Sequence, residues 1–277
     1  MDNRPIGFFD SGLGGLTCIP YLLNAFPHER IVYFGDTART PYGSKAISTI
    51  RKFATEITDF MIEEQDVKMV AIACNTVSAT ALDGLRERHP KTPILGIISP
   101  AAHTVAKTCT SENRIGVIGT KATIASEAYT KKILGFAPDL NVFGKACPAF
   151  VPLIEEGIIK NHIMDLMIEY YLGSFLETHR IDTLVLGCTH YPLILENIDR
   201  LYPGLRIIDP SKEMLQSIAD ALESYDLYAD GQCPGHVFYA SDLSENFVNM
   251  INLIFSGTDY PVKFKGFDLE GSWERKE

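Results

Sequence analysis

Met69-Val70-Ala71-Ile72-Ala73-Cys74-Asn75-Thr76 reads as an apolar, β-branched strand that ends on a cysteine and passes into helix-capping residue types. Leu184-Val185-Leu186-Gly187-Cys188-Thr189-His190 repeats that arrangement, with its cysteine 114 positions later. Two further landmarks keep nearly the same offset. Ile6-Gly7 opens a strand ending in Asp10-Ser11, and Ile115-Gly116, 109 positions on, opens one ending in Gly119-Thr120. Ile98-Ser99-Pro100 is echoed by Ile208-Asp209-Pro210 at an offset of 110. Three ordered matches mark an internal repeat, and the expected fold is α/β: two similar parallel-sheet domains related by a pseudo-two-fold axis.

The rest of the chain fits that plan. Further strands are expected at Ile31 to Phe34, Ile94 to Ile98, Val142 to Gly144, Arg206 to Ile208 and Val237 to Tyr239. Between them, Ile50, Phe53, Ile57, Phe60 and Met61 recur at helical spacing, as do Leu82 and Leu85, then Leu166, Met167 and Tyr170, then Leu215, Ile218 and Leu222. These stripes read as core-facing. The second copy ends near Ser211, and the remaining segment, with an amphipathic helix, a strand and another helical stretch, is expected to return to the first domain. The division is residues 1–98 plus 212–277 for the first domain and 99–211 for the second, with the crossings near 99 and 211 as the hinge.

Composition narrows the function. The 277 residues are 46% hydrophobic with a formal net charge of −10 and no Lys/Arg stripe, so a nucleic-acid partner is not expected. No stretch reaches the roughly 20 apolar residues of a membrane span, and no signal-peptide core follows the N-terminus, so a cytoplasmic protein is expected. The six cysteines are scattered without Cys-x-x-Cys or zinc spacing, which fits free thiols in a reducing compartment and no metal. Cys18, Cys109, Cys147 and Cys233 read as small buried hydrophobes.

In open parallel sheets ligands sit beyond the carboxyl ends of the strands, where Asp10, Cys74 and Cys188 all fall. Two such domains facing each other bring one cysteine to each side of a shared cleft. That geometry suits racemisation by two bases, in which one thiolate removes a Cα proton and the opposing thiol delivers another to the far face. A free thiol, with a pKa of about 8.5, needs activation, and a helix start beyond each cysteine would favour the anion. Ser11, Asn75, Thr76 and Thr189 are the donors expected to hold a substrate carboxylate. Asp10, toward Cys74, and His190, toward Cys188, are the expected proton shuttles or orienting groups. Asp10-Ser11-Gly12-Leu13-Gly14-Gly15 departs from the dinucleotide fingerprint at Thr17 and reads instead as a glycine-lined wall against a small ligand. Serine-hydrolase and zinc-protease signatures are missing; a pyridoxal phosphate enzyme is not excluded by motif, although its lysine has no evident setting.

Phe9-Asp10-Ser11-Gly12-Leu13-Gly14-Gly15, Gly35-Asp36-Thr37 with Pro41-Tyr42-Gly43, Ala73-Cys74-Asn75-Thr76, Pro152-Leu153-Ile154-Glu155-Glu156-Gly157 and Leu186-Gly187-Cys188-Thr189-His190-Tyr191-Pro192 together resemble the bacterial glutamate racemases of the aspartate/glutamate racemase superfamily. The resemblance covers nearly the whole chain. It implies that Cys74 and Cys188 interconvert L- and D-glutamate without cofactor or metal, in a cleft between the domains, supplying D-glutamate for peptidoglycan. It further implies that Asp10-Ser11, Tyr42-Gly43, Asn75-Thr76 and Thr189-His190 bind substrate, and that Asp10, Glu155 and His190 assist proton transfer. A homodimer is a candidate assembly on the same ground. Some members carry an N-terminal extension linked to activation by a cell-wall precursor; this chain starts five residues before its first strand, and activity without an activator is expected. The alternatives are racemisation of aspartate or another small acid, a decarboxylase, which in this superfamily works with a single cysteine, and, from a different class, a thiol redox or ligand-binding module.

Overall fold

Unbroken apolar runs become strands here because each finds helices to cover both of its faces. The computed structural model describes residues 1–231, 235–243, 245, 249, 251 and 262–267. In it β1 (Ile6–Asp10), β2 (Ile31–Gly35), β3 (Met69–Ile72) and β4 (Ile94–Gly96) form one sheet. A second is built from β5 (Arg114–Gly119), β6 (Asn141–Ala146), β7 (Thr183–Gly187) and β8 (Arg206–Ile208). β9 (Val237–Ala240) and β10 (Val262–Phe264) return to the first sheet, whose order is β10-β9-β2-β1-β3-β4; the second runs β6-β5-β7-β8. All described pairings are parallel. Apart from the two returning strands the orders correspond, and so does the register. Phe9 lies opposite Ile72 in one sheet and Ile118 opposite Leu186 in the other. The sequence repeat is thus a repeat in space, which brings Cys74 and Cys188 to matching positions.

Alternation along the strands divides the apolar interior into three parts. Ile6, Phe8, Met69 and Ala71 share a central core with Ile115, Val117 and Val185 of the other sheet. Helices Ile98–Thr108 and Pro210–Ser224 fill it with Ala101, Ala102, Val105, Met214 and Ile218, and they pack against each other where the chain crosses between the sheets. The opposite faces have separate cores. Phe9, Phe34, Val70 and Ile72 meet helix Ile47–Asp59, while Ile118, Leu184 and Leu186 meet helix His162–His179.

Two expectations change. The strand expected at Ile94 to Ile98 stops at Gly96, and Ile98-Ser99-Pro100 is the first turn of a helix, a place that proline suits because its missing N–H would have no partner there. Its echo behaves alike: β8 ends at Ile208, Asp209 caps the next helix by accepting from the Ser211 N–H at 3.0 Å, and Pro210 starts it. The stripe Leu166, Met167, Tyr170 is not the core face of its helix. Leu166 is 52% and Tyr170 74% exposed, whereas Met164, Ile168, Leu172 and Phe175 are buried. That helix is apolar around most of its circumference, so spacing alone admits two stripes and only the sheet selects one. β10, a three-residue edge strand, carried no periodic signal. Cys233 and most of the helical stretch expected after β9 lie outside the described residues. No described helix is long and apolar enough to cross a membrane.

Candidate active site

The carboxyl ends of β1 and β3 face those of β5 and β7 across a small cleft, whose roughly 340 Å³ of empty space includes volume open to solvent. The first half contributes Ser11, Thr40, Pro41, Tyr42, Gly43, Cys74, Asn75 and Thr76 to its walls. Thr120, Val151, Gly187, Cys188, Thr189 and His190 come from the second half. Both thiols therefore open on one space. Each is almost fully buried.

The two cysteines sit in different surroundings. Cys74 is the N-cap residue of helix Asn75–Thr80, and its Sγ lies 3.2 Å from Ser11 Oγ, to which it donates. The helix start does not win there. Burial, and after it the negative charge of Asp10, push the Cys74 thiol up to about 12, so it keeps its proton at neutral pH. Cys188 caps no helix, contrary to expectation. It opens a tight turn and a 3-10 segment, Tyr191–Ile194, before helix Leu195–Leu201 begins. The Tyr191 N–H donates to the Cys188 carbonyl and the Leu193 N–H to that of His190, both at 3.1 Å, while Pro192 has no N–H to offer an α-helical ladder. This turn folds His190 back on its own cysteine: Nδ1 stands 3.8 Å from Cys188 Sγ. His190 Nε2 is 3.0 Å from Glu155 Oε1 at the end of helix Phe150–Glu155. Burial by itself would lower the imidazole pKa. The contacts with Cys188 and Glu155 outweigh it and raise His190 to about 10.

Asp10 ends β1, is fully buried and is not among the residues lining the cavity. Its carboxylate accepts from the Gly12 N–H at 3.1 Å and from Thr189 Oγ1 of the other half at 3.2 Å; burial holds its carboxyl above the usual range despite the nearby His190 charge. Asp10 thus joins the halves as well as acting on Cys74. Glu155 likewise is not among the lining residues, and its contact with His190 links it to the cavity. Asn75 Oδ1 accepts from the Tyr129 hydroxyl at 2.6 Å, whereas its Nδ2 is buried without a partner among the described residues. Thr76 Oγ1 lies 3.1 Å from Thr120 Oγ1 and 3.3 Å from Thr123 Oγ1, again across the two halves. Tyr42 turns its hydroxyl out of the cavity onto Asp36. The glycine turn serves a purpose other than the expected one: a Cβ on Gly14 would collide with Thr189 Oγ1 and the His190 ring, so this glycine lets the two halves touch.

All the expected donors and both thiols converge on this one place. Thr40, Pro41, Thr120, Val151 and Gly187 also line it and were not singled out by sequence. Thr120 was within reach, since the repeat aligns Gly119-Thr120 with Asp10-Ser11; Thr40 and Val151 carried no signal. No group of three or more His, Cys, Asp or Glu side chains suited to a metal occurs among the described residues.

The model of the Asp/Glu/Hydantoin racemase family matches residues 18–218. A glutamate racemase from Chlorobaculum tepidum is 44% identical over 263 residues, covering 94% of this chain and 94% of that protein. Among solved structures, the glutamate racemase of Francisella tularensis in complex with D-glutamate superposes with a TM-score of 0.89 at 38% identity, over 98% of this chain and 100% of that one. The Thermus thermophilus glutamate racemase in complex with β-chloro-D-alanine gives 0.84 at 35% identity, over 96% and 98%. With its fold, its paired thiols and these likenesses over most of its length, the chain belongs to the Asp/Glu/Hydantoin racemase family.

Proposed function

We propose that this protein is a glutamate racemase that uses no cofactor and works with two thiols, Cys74 acting on one face of the substrate Cα and Cys188 on the other. The observation that carries this reading is that the two cysteines come from matching strand ends of opposite sheets and line one small cavity. Glutamate is the substrate named for relatives 40 to 44% identical over nearly the whole chain, and D-glutamate occupies the Francisella structure.

In each turnover one sulfur, as thiolate, takes the Cα proton, and the electron pair left on carbon is delocalised into the substrate carboxylate. The opposing thiol then gives its proton to the other face and becomes the thiolate. The pair ends with its protonation exchanged, and a proton must move before the same direction can run again. Asp10 beside Cys74, and His190 with Glu155 beside Cys188, are the groups in place to move it. The unpartnered Asn75 Nδ2, with Ser11, Thr76 and Thr189 and the Tyr42-Gly43 backbone, would hold the carboxylates and amino group of the substrate. Residues 1–98 with 212–277, and 99–211, are the two domains of this reading. D-glutamate would supply peptidoglycan synthesis from a cytoplasmic location, which the free state of the five described cysteines supports.

The test is incubation with L-glutamate in D₂O, following circular dichroism and Cα deuteration for wild type, Cys74→Ser and Cys188→Ser. The wild type is expected to racemise and exchange, and each variant to lose racemisation by at least about a hundredfold. A wild type inert toward glutamate sinks the proposal. Full activity in one of the two variants sinks the two-thiol mechanism.

A further inference from the structure

Behind the cavity wall opposite Thr120 lies a buried polar cluster that the two-thiol chemistry does not use. Asp36, directly after β2, is completely buried, and three side chains, two from the loop that follows it and one from beyond β9, donate to its carboxylate. Arg39 Nε reaches Oδ2 at 2.7 Å, Ser241 Oγ reaches Oδ1 at 2.6 Å, and the Tyr42 hydroxyl is bonded to Oδ2. The Arg39 guanidinium is pinned in turn, stacked 4.0 Å over the Phe53 ring and paired with Glu56. Burial and the adjacent Asp36 raise the Tyr42 hydroxyl well above its ordinary range, so it remains a neutral donor.

We infer that Asp36 is a positioning residue for the reaction: through the Tyr42 hydroxyl it sets the Tyr42-Gly43 wall of the cavity, and through Ser241 it ties that wall to the segment following β9. Tyr42 faces away from the cavity with its hydroxyl, so what it presents to a substrate is determined by where that hydroxyl is held. Gly43 leaves no slack on the other side, because a Cβ there would collide with the Thr120 side chain of the second half. The returning segment reinforces the tether: Ser241 Oγ accepts from the Ala38 N–H at 2.9 Å, and Thr37 Oγ1 exchanges hydrogen bonds with the Asp242 backbone at 2.6 and 2.8 Å. A wall held between a buried carboxylate and the opposite domain cannot drift without changing the fit of the substrate.

This inference rests on the racemase reading, and the experiment separates the two. KM and kcat for glutamate are measured in both directions for wild type, Asp36→Asn, Tyr42→Phe, the double variant and Ser241→Ala, together with their pH profiles. Asp36→Asn and Tyr42→Phe are expected to raise KM about tenfold, the equivalent of one good hydrogen bond, with kcat and the pH profile changing much less. The double variant should be no worse than the poorer single one, because both break the same tether. Ser241→Ala should raise KM less, by about threefold. Should Asp36→Asn fail to fold, Tyr42→Phe, which removes one oxygen and keeps the ring packing, decides. Wild-type KM in folded Tyr42→Phe, or independent effects that multiply in the double variant, overturns the positioning role while the wild type stays active. A wild type without activity on glutamate overturns both readings.

Discussion

His190 shows how a residue acquires chemistry from what touches it. In an unfolded chain its imidazole titrates at about 6.5. In the fold, contacts with Cys188 and Glu155 overcome burial and hold it charged to about 10. The folded state therefore binds this proton more tightly than the unfolded one, and the stability so gained is fully present below about pH 6.5 and is lost as pH rises toward 10. Urea unfolding measured from pH 6 to 10 should show wild-type stability falling through this window, and His190→Asn should flatten the slope. An equal slope in both proteins would place the titration elsewhere. The residues most readable from sequence were those whose type is set by chemistry, the two thiols and the Asn75, Thr76 and Thr189 donors beside them. Asp10 was readable as a strand-end carboxylate, but its bond to Thr189 joins positions far apart in the chain and has no local trace.

At the scale of elements, strands were the legible part because parallel strands buried on both faces must be nearly continuous apolar runs. Helix His162–His179 was harder, since apolar residues surround it and only contact with β7 and its neighbours separates the buried Ile168 from the exposed Leu166. Ile168→Ala should cost about 2 to 5 kcal/mol in urea unfolding, as for other truncations in a packed core. Leu166→Ala should stay within about 0.5 kcal/mol. Similar losses at the two positions would mean that the sheet does not define the inner face. The turn after Cys188 carries a related lesson. A cysteine after a strand with a proline four residues on was expected to start a helix, but the 3-10 turn formed first, and that detour folds His190 back onto its own thiol.

For the whole molecule, the decisive feature is how closely the halves approach. Gly14 leaves no room for a Cβ against Thr189 and His190, Asp10 bonds Thr189, Thr17 Oγ1 donates to the Thr189 carbonyl at 3.1 Å, and Asn75 and Thr76 reach Tyr129 and Thr120. A methyl group at Gly14 would wedge this contact open. Gly14→Ala is therefore expected to fold, by circular dichroism, yet to lose activity at least about a hundredfold, since misplacement by about 1 Å is enough for such a loss. Near wild-type activity would show that the halves need not meet there. By itself the sequence determined the α/β class, the duplication and the two thiols, because apolar period, repeat spacing and residue chemistry are local properties that survive in a linear reading. Only the tertiary structure decided which residues close the cavity, that Cys74 is held as a thiol while a charged imidazole accompanies Cys188, and that Asp36 stands behind the wall. Each of these depends on burial and on contacts between segments distant in the chain, and those exist only once the two sheets have packed around their shared core.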